Sequence, residues 1–176
     1  MLYYIHGYQS DPTSTKGTLF NKTLHAKAIK YRDGKPEDLL IADCLRRIAD
    51  VIKDDNEVVL IGSSLGGFLA AKTALSHPVK HLILLNPAII PTTVDITKIQ
   101  DMPQRILFDM KDDNLFEKKM ASEITILRGT KDDVVPDEWV LAFAKAQEAT
   151  IRLFNDDHSF THHMTQLPEI IAKIID

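Results

Sequence analysis

The chain has one cysteine, Cys44, so no intramolecular disulfide can form and a packed core must hold the fold. Basic residues are not in excess: 21 Lys and Arg against 25 Asp and Glu leave a net charge of −4. With no basic block, a nucleic-acid partner is not expected. Long hydrophobic runs are also missing. The longest, Val58–Ala71, is interrupted by Gly62, Ser63, Ser64, Gly66 and Gly67 and is not a membrane span. Met1 leads directly into Leu2–Ile5, which reads as a buried strand rather than a charged leader. The expectation is one cytoplasmic domain spanning residues 1–176.

What is present is alternation. Leu2–Ile5, Val58–Ile61, His81–Leu85 and Ile124–Leu127 are short apolar runs of the kind found in strands buried on both faces; Ala26–Tyr31 and Thr150–Phe154 are weaker candidates. Between them Ile41, Leu45, Ile48 and Ile52 recur at helical spacing, and Leu65–Ser76, Asp137–Glu148 and Leu167–Ile175 read as further helices. Strands alternating with helices predict a mostly parallel sheet with helices on both faces. Cys44 falls on the apolar side of its helix, as a small buried hydrophobe. Pro91–Ser122 is polar, lacks a clear period and is broken by Pro103.

Residues 62–66 read Gly-Ser-Ser-Leu-Gly, a G-x-S-x-G frame centred on Ser64, whereas Ser63 has Ile61 and Leu65 two residues away. A strand precedes the frame and a helix follows, which would put Ser64 on a sharp turn at the carboxyl end of the sheet. A serine needs a base, and the base needs an orienting acid. Candidates stand after the last two strand candidates. Asp132, in "RGTKDDVVP", is preferred over its neighbour Asp133, and His158, in "NDDHSF", is preferred over His162 and His163. The remaining histidines, His6, His25, His77 and His81, read as structural or surface residues. No thiolate or carboxylate cluster has metal-ligand spacing. Gly7, after the first strand, would let the Tyr8 amide approach the serine, with the Leu65 amide as a second donor to a carbonyl oxygen.

The order HGY, GSSLGG, NPA, GTKDDVVP and DHSF resembles the α/β-hydrolase superfamily and, more narrowly, the small bacterial YqiA-like esterases, from Tyr4 to the C-terminus. The resemblance implies a minimal three-layer α/β/α sandwich on a mostly parallel six-stranded sheet, with the first strand inside it between Val58–Ile61 and Ala26–Tyr31. It also implies Ser64, Asp132 and His158 as nucleophile, acid and base, and Tyr8 and Leu65 as oxyanion donors. Neither cofactor nor metal is expected. Ala88–Glu123 must hold the ordinary crossover helix, leaving room for little or no cap. A shallow site for a small-molecule ester with a short or medium acyl chain follows, with Tyr8, Leu65, Phe68 and Phe160 as candidate lining. The same groups would cleave a thioester. A protein-binding module on this fold, with weak or no hydrolysis, is the alternative from another class.

Overall fold

The computed structural model describes residues 1–175. In order the elements are β1 (Leu2–Ile5), α1 (Thr15–Leu24), β2 (Lys27–Ala28), α2 (Ile41–Ile52), β3 (Val59–Ser63), α3 (Leu65–Ala74), β4 (His81–Leu85), α4 (Gln104–Met110), α5 (Asn114–Glu117), β5 (Glu123–Gly129), α6 (Asp137–Gln147), β6 (Thr150–Phe154) and α7 (Leu167–Ile175). The six strands form one parallel sheet in the order β2-β1-β3-β4-β5-β6, so β1 lies inside it as expected.

Strand side chains alternate between two cores. Tyr3, Ile5, Leu60, Leu82, Leu84 and Ile126 pack in one cluster with Ile41, Cys44 and Ile48 of α2, Phe68 and Leu69 of α3, Ile106 of α4 and Phe143 of α6. Tyr4, Val59, Ile61, Ile83, Leu85 and Leu127 meet Phe20 of α1 and Leu167 and Ile171 of α7 in the other. This division makes the three layers. It also explains why the central strands read as unbroken apolar runs: both of their faces are covered. Burial pushes the Cys44 thiol up to about 11, so it is an inert core group.

One expectation needs correction, and one segment without a clear period takes shape. Ala26–Tyr31 contributes only Lys27 and Ala28 as a strand. Past Ile29 the chain leaves the edge because Tyr31 turns inward, where its hydroxyl donates to the His6 and Gly7 carbonyls at 3.1 and 3.2 Å. The segment that had no clear period, Pro91–Ser122, holds a short 3-10 turn at Ile96–Lys98 together with α4 and α5. These helices have 7 and 4 residues, too short to display a periodic stripe. Side chains from neighbouring elements hold the segment in place. Gln147, buried in α6, donates to the Leu115 and Lys118 carbonyls. Lys72 of α3 pairs with Asp112.

Candidate active site

The carboxyl ends of β1, β3, β4, β5 and β6 converge. Ser64 donates its N–H to the Leu85 carbonyl at 3.0 Å, Asn86 donates to Leu127 at 3.0 Å, and Thr130 donates to Phe154 at 2.8 Å. Ser64 has φ 54° and ψ −119°, in the left-handed half of backbone space, and α3 starts at the next residue. Holding a non-glycine residue there costs on the order of 1–3 kcal/mol and needs support from both sides. The glycine frame provides it. A Cβ on residue 62 would lie 2.4 Å from the Gly66 carbonyl oxygen, and one on residue 66 would lie 2.1 Å from that of Ile5. Ser63, by contrast, has ordinary strand geometry and is buried facing the Tyr4 phenol.

Asp132 and His158 are brought together. The His158 Nδ1–H donates to Asp132 Oδ2 at 2.9 Å, and the Asp132 carboxylate is fully buried. Its Oδ1 accepts from the Val134 and Val135 amides at 2.9 and 3.1 Å. Burial alone would raise the Asp132 pKa, but the His158 hydrogen bond and charge, with those two amides, hold it below the usual carboxylate range. Asp133 is exposed at the surface. With Nδ1 committed to Asp132, the free position on the His158 ring is Nε2.

The loop after β1 lies against the serine. A Cβ on Gly7 would be 3.4 Å from the Ser64 Cβ. Arg32 fixes this loop by donating to the Tyr8 and Ser10 carbonyls at 2.7 and 2.6 Å, and His6 stacks on Tyr31 with ring centroids 4.3 Å apart. Among the described residues, neither the Tyr8 nor the Leu65 backbone N–H donates to a protein acceptor. The surface depression of about 150 Å³ between Arg32, Lys35, Asp43 and Arg47 includes none of Tyr8, Ser64, Leu65, Asp132 and His158.

Phe68 and Phe160 do not line a site. Both are fully buried, one in each core, and the Leu65 side chain is buried as well. Leu65 and Phe68, in the first turn of α3, join the core cluster that holds Ile5, Leu60 and Leu82, and Phe160 packs edge-on to Phe154 with centroids 5.7 Å apart. Tyr8 is half-buried and is the one candidate lining residue that stays near the surface. His162 and His163 form a separate pairing. Their Nδ1 atoms donate to the two oxygens of buried Asp156, at 3.2 and 2.8 Å.

Three further residues, to which the sequence motifs assigned no role, support the site. Arg128 is buried and donates to Asp132 Oδ2 at 2.5 Å, to Asp137 at 2.9 Å and to the Val135 carbonyl at 2.7 Å. Asp156 accepts from the Asp157, His162 and His163 amides and so shapes the loop that bears His158. Asn86 joins β4 to both loops. The signal available beforehand was a polar residue closing each of two otherwise apolar runs, "HLILLN" and "ITILRG".

A parallel sheet covered on both faces, with a strained serine between the first strand's loop and an Asp–His pair, defines the α/β-hydrolase fold. Solved structures agree with that class. Est1E from Butyrivibrio proteoclasticus, solved with ferulic acid, superposes with a TM-score of 0.77 at 20% identity, over 99% of this chain and 88% of that one. Mouse alpha/beta hydrolase domain-containing protein 10 gives 0.78 at 17% identity, over 99% and 89%. Within that class the chain belongs to the uncharacterised protein family UPF0227, which it matches over residues 1–174. In sequence it is also similar to the mitochondrial palmitoyl-protein thioesterase ABHD10 of Pongo abelii, 30% identical over 114 residues, and to the human protein, 29% identical over 114 residues. Each alignment covers 58% of this chain and 37% of the relative.

Proposed function

We propose that the protein is a serine hydrolase, a carboxylesterase that cleaves short- to medium-chain acyl esters through an acyl-enzyme on Ser64. The observation that carries this reading is the 2.9 Å Asp132–His158 hydrogen bond at the same end of the sheet as the strained Ser64. His158 takes the Ser64 hydroxyl proton at Nε2 as the oxygen attacks the ester carbonyl, and Asp132 stabilises the imidazolium. The Tyr8 and Leu65 amides, which have no protein acceptor, receive the developing oxyanion. His158 then returns the proton to the leaving alcohol. Water, activated by the same imidazole, releases the acid and restores Ser64. No cofactor or metal takes part in this scheme. The substrate is a small molecule. With Phe68 and Phe160 in the core, few apolar side chains remain to hold a long acyl chain. The buried, reduced Cys44 is compatible with action in the cytoplasm.

The test is labelling with a fluorophosphonate probe, followed by peptide mapping. Modification at Ser64, lost in Ser64→Ala and kept in Ser63→Ala, supports the reading; a folded protein that resists the probe overturns it in favour of a non-hydrolytic binding role. The similarity to a palmitoyl-protein thioesterase favours a second reading, acyl thioester cleavage by the same groups. Acetyl through palmitoyl esters, assayed beside the matching thioesters, separate the two. Preference for the short esters is the expected result.

A further inference from the structure

Asn86 closes β4 with a fully buried side chain, and both halves of its amide are engaged. Its Oδ1 accepts from the Gly129 N–H at 2.9 Å and from Arg128 Nη1 at 3.4 Å. Its Nδ2 donates to the Asp157 and His158 carbonyls at 3.2 and 3.0 Å. Gly129 opens the loop that carries Asp132, so this one amide joins segments 43 and 72 residues away from it in the chain. The preceding residue, Leu85, supplies the carbonyl that seats the Ser64 N–H. Asn86 also has φ 44°, a conformation that asparagine tolerates better than most residues. Few other side chains can donate, accept and tolerate that backbone together.

We propose that Asn86 is the positioning residue of the site. It clamps the His158 loop to the Asp132 loop at the level of Ser64, so the Asp–His hydrogen bond exists before substrate binds. The proposal rests on the hydrolytic reading of Ser64, Asp132 and His158. Other anchors hold the base loop on either side of His158: the Lys131 N–H of the acid loop donates to the Asp156 carbonyl at 2.8 Å, Lys16 donates to the Ser159 carbonyl, and the Asp156 carboxylate gathers the 157, 162 and 163 amides. The His158 main chain itself is held by Asn86. An aspartate at this position would keep the size and the acceptor. It would also turn a carboxylate oxygen toward two carbonyl oxygens and give Arg128 a competitor to Asp132. A displacement of about 1 Å at such a site costs on the order of 10²-fold in rate.

Asn86→Asp and Asn86→Gly test this through three measurements: thermal melting, the low-field proton NMR signal of His158 Nδ1–H (assigned by its loss in His158→Ala), and fluorophosphonate labelling with kcat and KM on p-nitrophenyl acetate. The expected result is a cooperative melt, a lost or weakened signal, and labelling and kcat reduced by about 10²-fold or more with KM little changed. Variants that keep the signal and the wild-type rate overturn the proposal. So does activity that falls only in step with global unfolding. If the wild type labels at no serine but Asn86→Asp still abolishes the His158 signal, the clamp stands and the hydrolytic reading fails.

Discussion

Asp132 and Asp133 are adjacent acidic residues in one loop, yet they occupy opposite environments. Asp132 is buried under Arg128, His158 and two amides, while Asp133 faces solvent. Asp132→Asn should lower kcat by several orders of magnitude, about 10⁴-fold in the best-studied triads, because an amide favours the wrong histidine tautomer. Asp133→Asn should be near neutral. Both are measured on one activated ester, with circular dichroism as the folding control; a dead Asp133→Asn beside a live Asp132→Asn would move the acid by one residue. The histidines divide in the same way. His158→Ala should be as damaging as Ser64→Ala, because such groups act as a unit. His162→Ala, whose ring is 70% exposed on Asp156, should retain most of the activity. The glycine spacing made the strained turn at Ser64 legible from sequence. A polar residue after an apolar run was the one local hint of Asn86 and Arg128, whose roles arise only where β4, β5 and the base loop meet.

Element by element, the long helices and buried strands were legible because each carries a period or an unbroken apolar run. β1, β4, β6 and α7 match their expected bounds, and β3 and β5 shift by one or two residues. β2 shrank and α4 and α5 went unread, since edge position and short length remove those signals. α3 shows how a helix can be located correctly while its side chains are misassigned. It is apolar all round, with nine of its ten residues buried, so sequence could not tell which side chains line the site and which fill the core. The structure places Phe68 in the core. Phe68→Ala should therefore destabilise the protein by about 3–5 kcal/mol, lowering Tm by roughly 10 °C or more, with KM unchanged. Urea titration and steady-state kinetics check this. A raised KM at unchanged stability would put the ring back against substrate.

For the molecule as a whole, pH should act on stability in two separate windows. Burial depresses the His6 pKa from 6.5 to about 4, and its Nδ1–H donates to the Gly7 carbonyl, so the native state holds a neutral imidazole. The unfolded chain binds a proton near pH 6.5 and the folded one only near 4, so stability falls as pH drops through that interval. At about 1.4 kcal/mol per pH unit the loss is on the order of 3 kcal/mol. Asp132 and Asp156 are shifted the other way relative to their charge. Burial raises both, but hydrogen bonds outweigh it and hold both below the ordinary value, well below for Asp156. Their contribution is complete above the ordinary carboxylate range and is lost only in stronger acid. Denaturation free energies measured from pH 7.5 to 4.5 should decline for the wild type and stay flatter for His6→Phe, which keeps the stacking on Tyr31 without the titrating ring. Equal slopes would show that His6 is not the group responsible.

Sequence by itself determined the strand and helix alternation, the parallel sheet with two covered faces, the sharp turn that sets Ser64 apart from Ser63, and the two loops from which an acid and a base could come. All of these follow from periodicity, apolar runs and glycine spacing, which are local properties of the chain. The tertiary structure decided which aspartate is buried and which histidine it meets. It also withdrew Phe68 and Phe160 into the core and revealed the Asn86 amide that ties the two loops together. Those outcomes depend on groups far apart in sequence meeting at the strand ends, where burial and hydrogen-bond geometry select one partner among chemically equal neighbours.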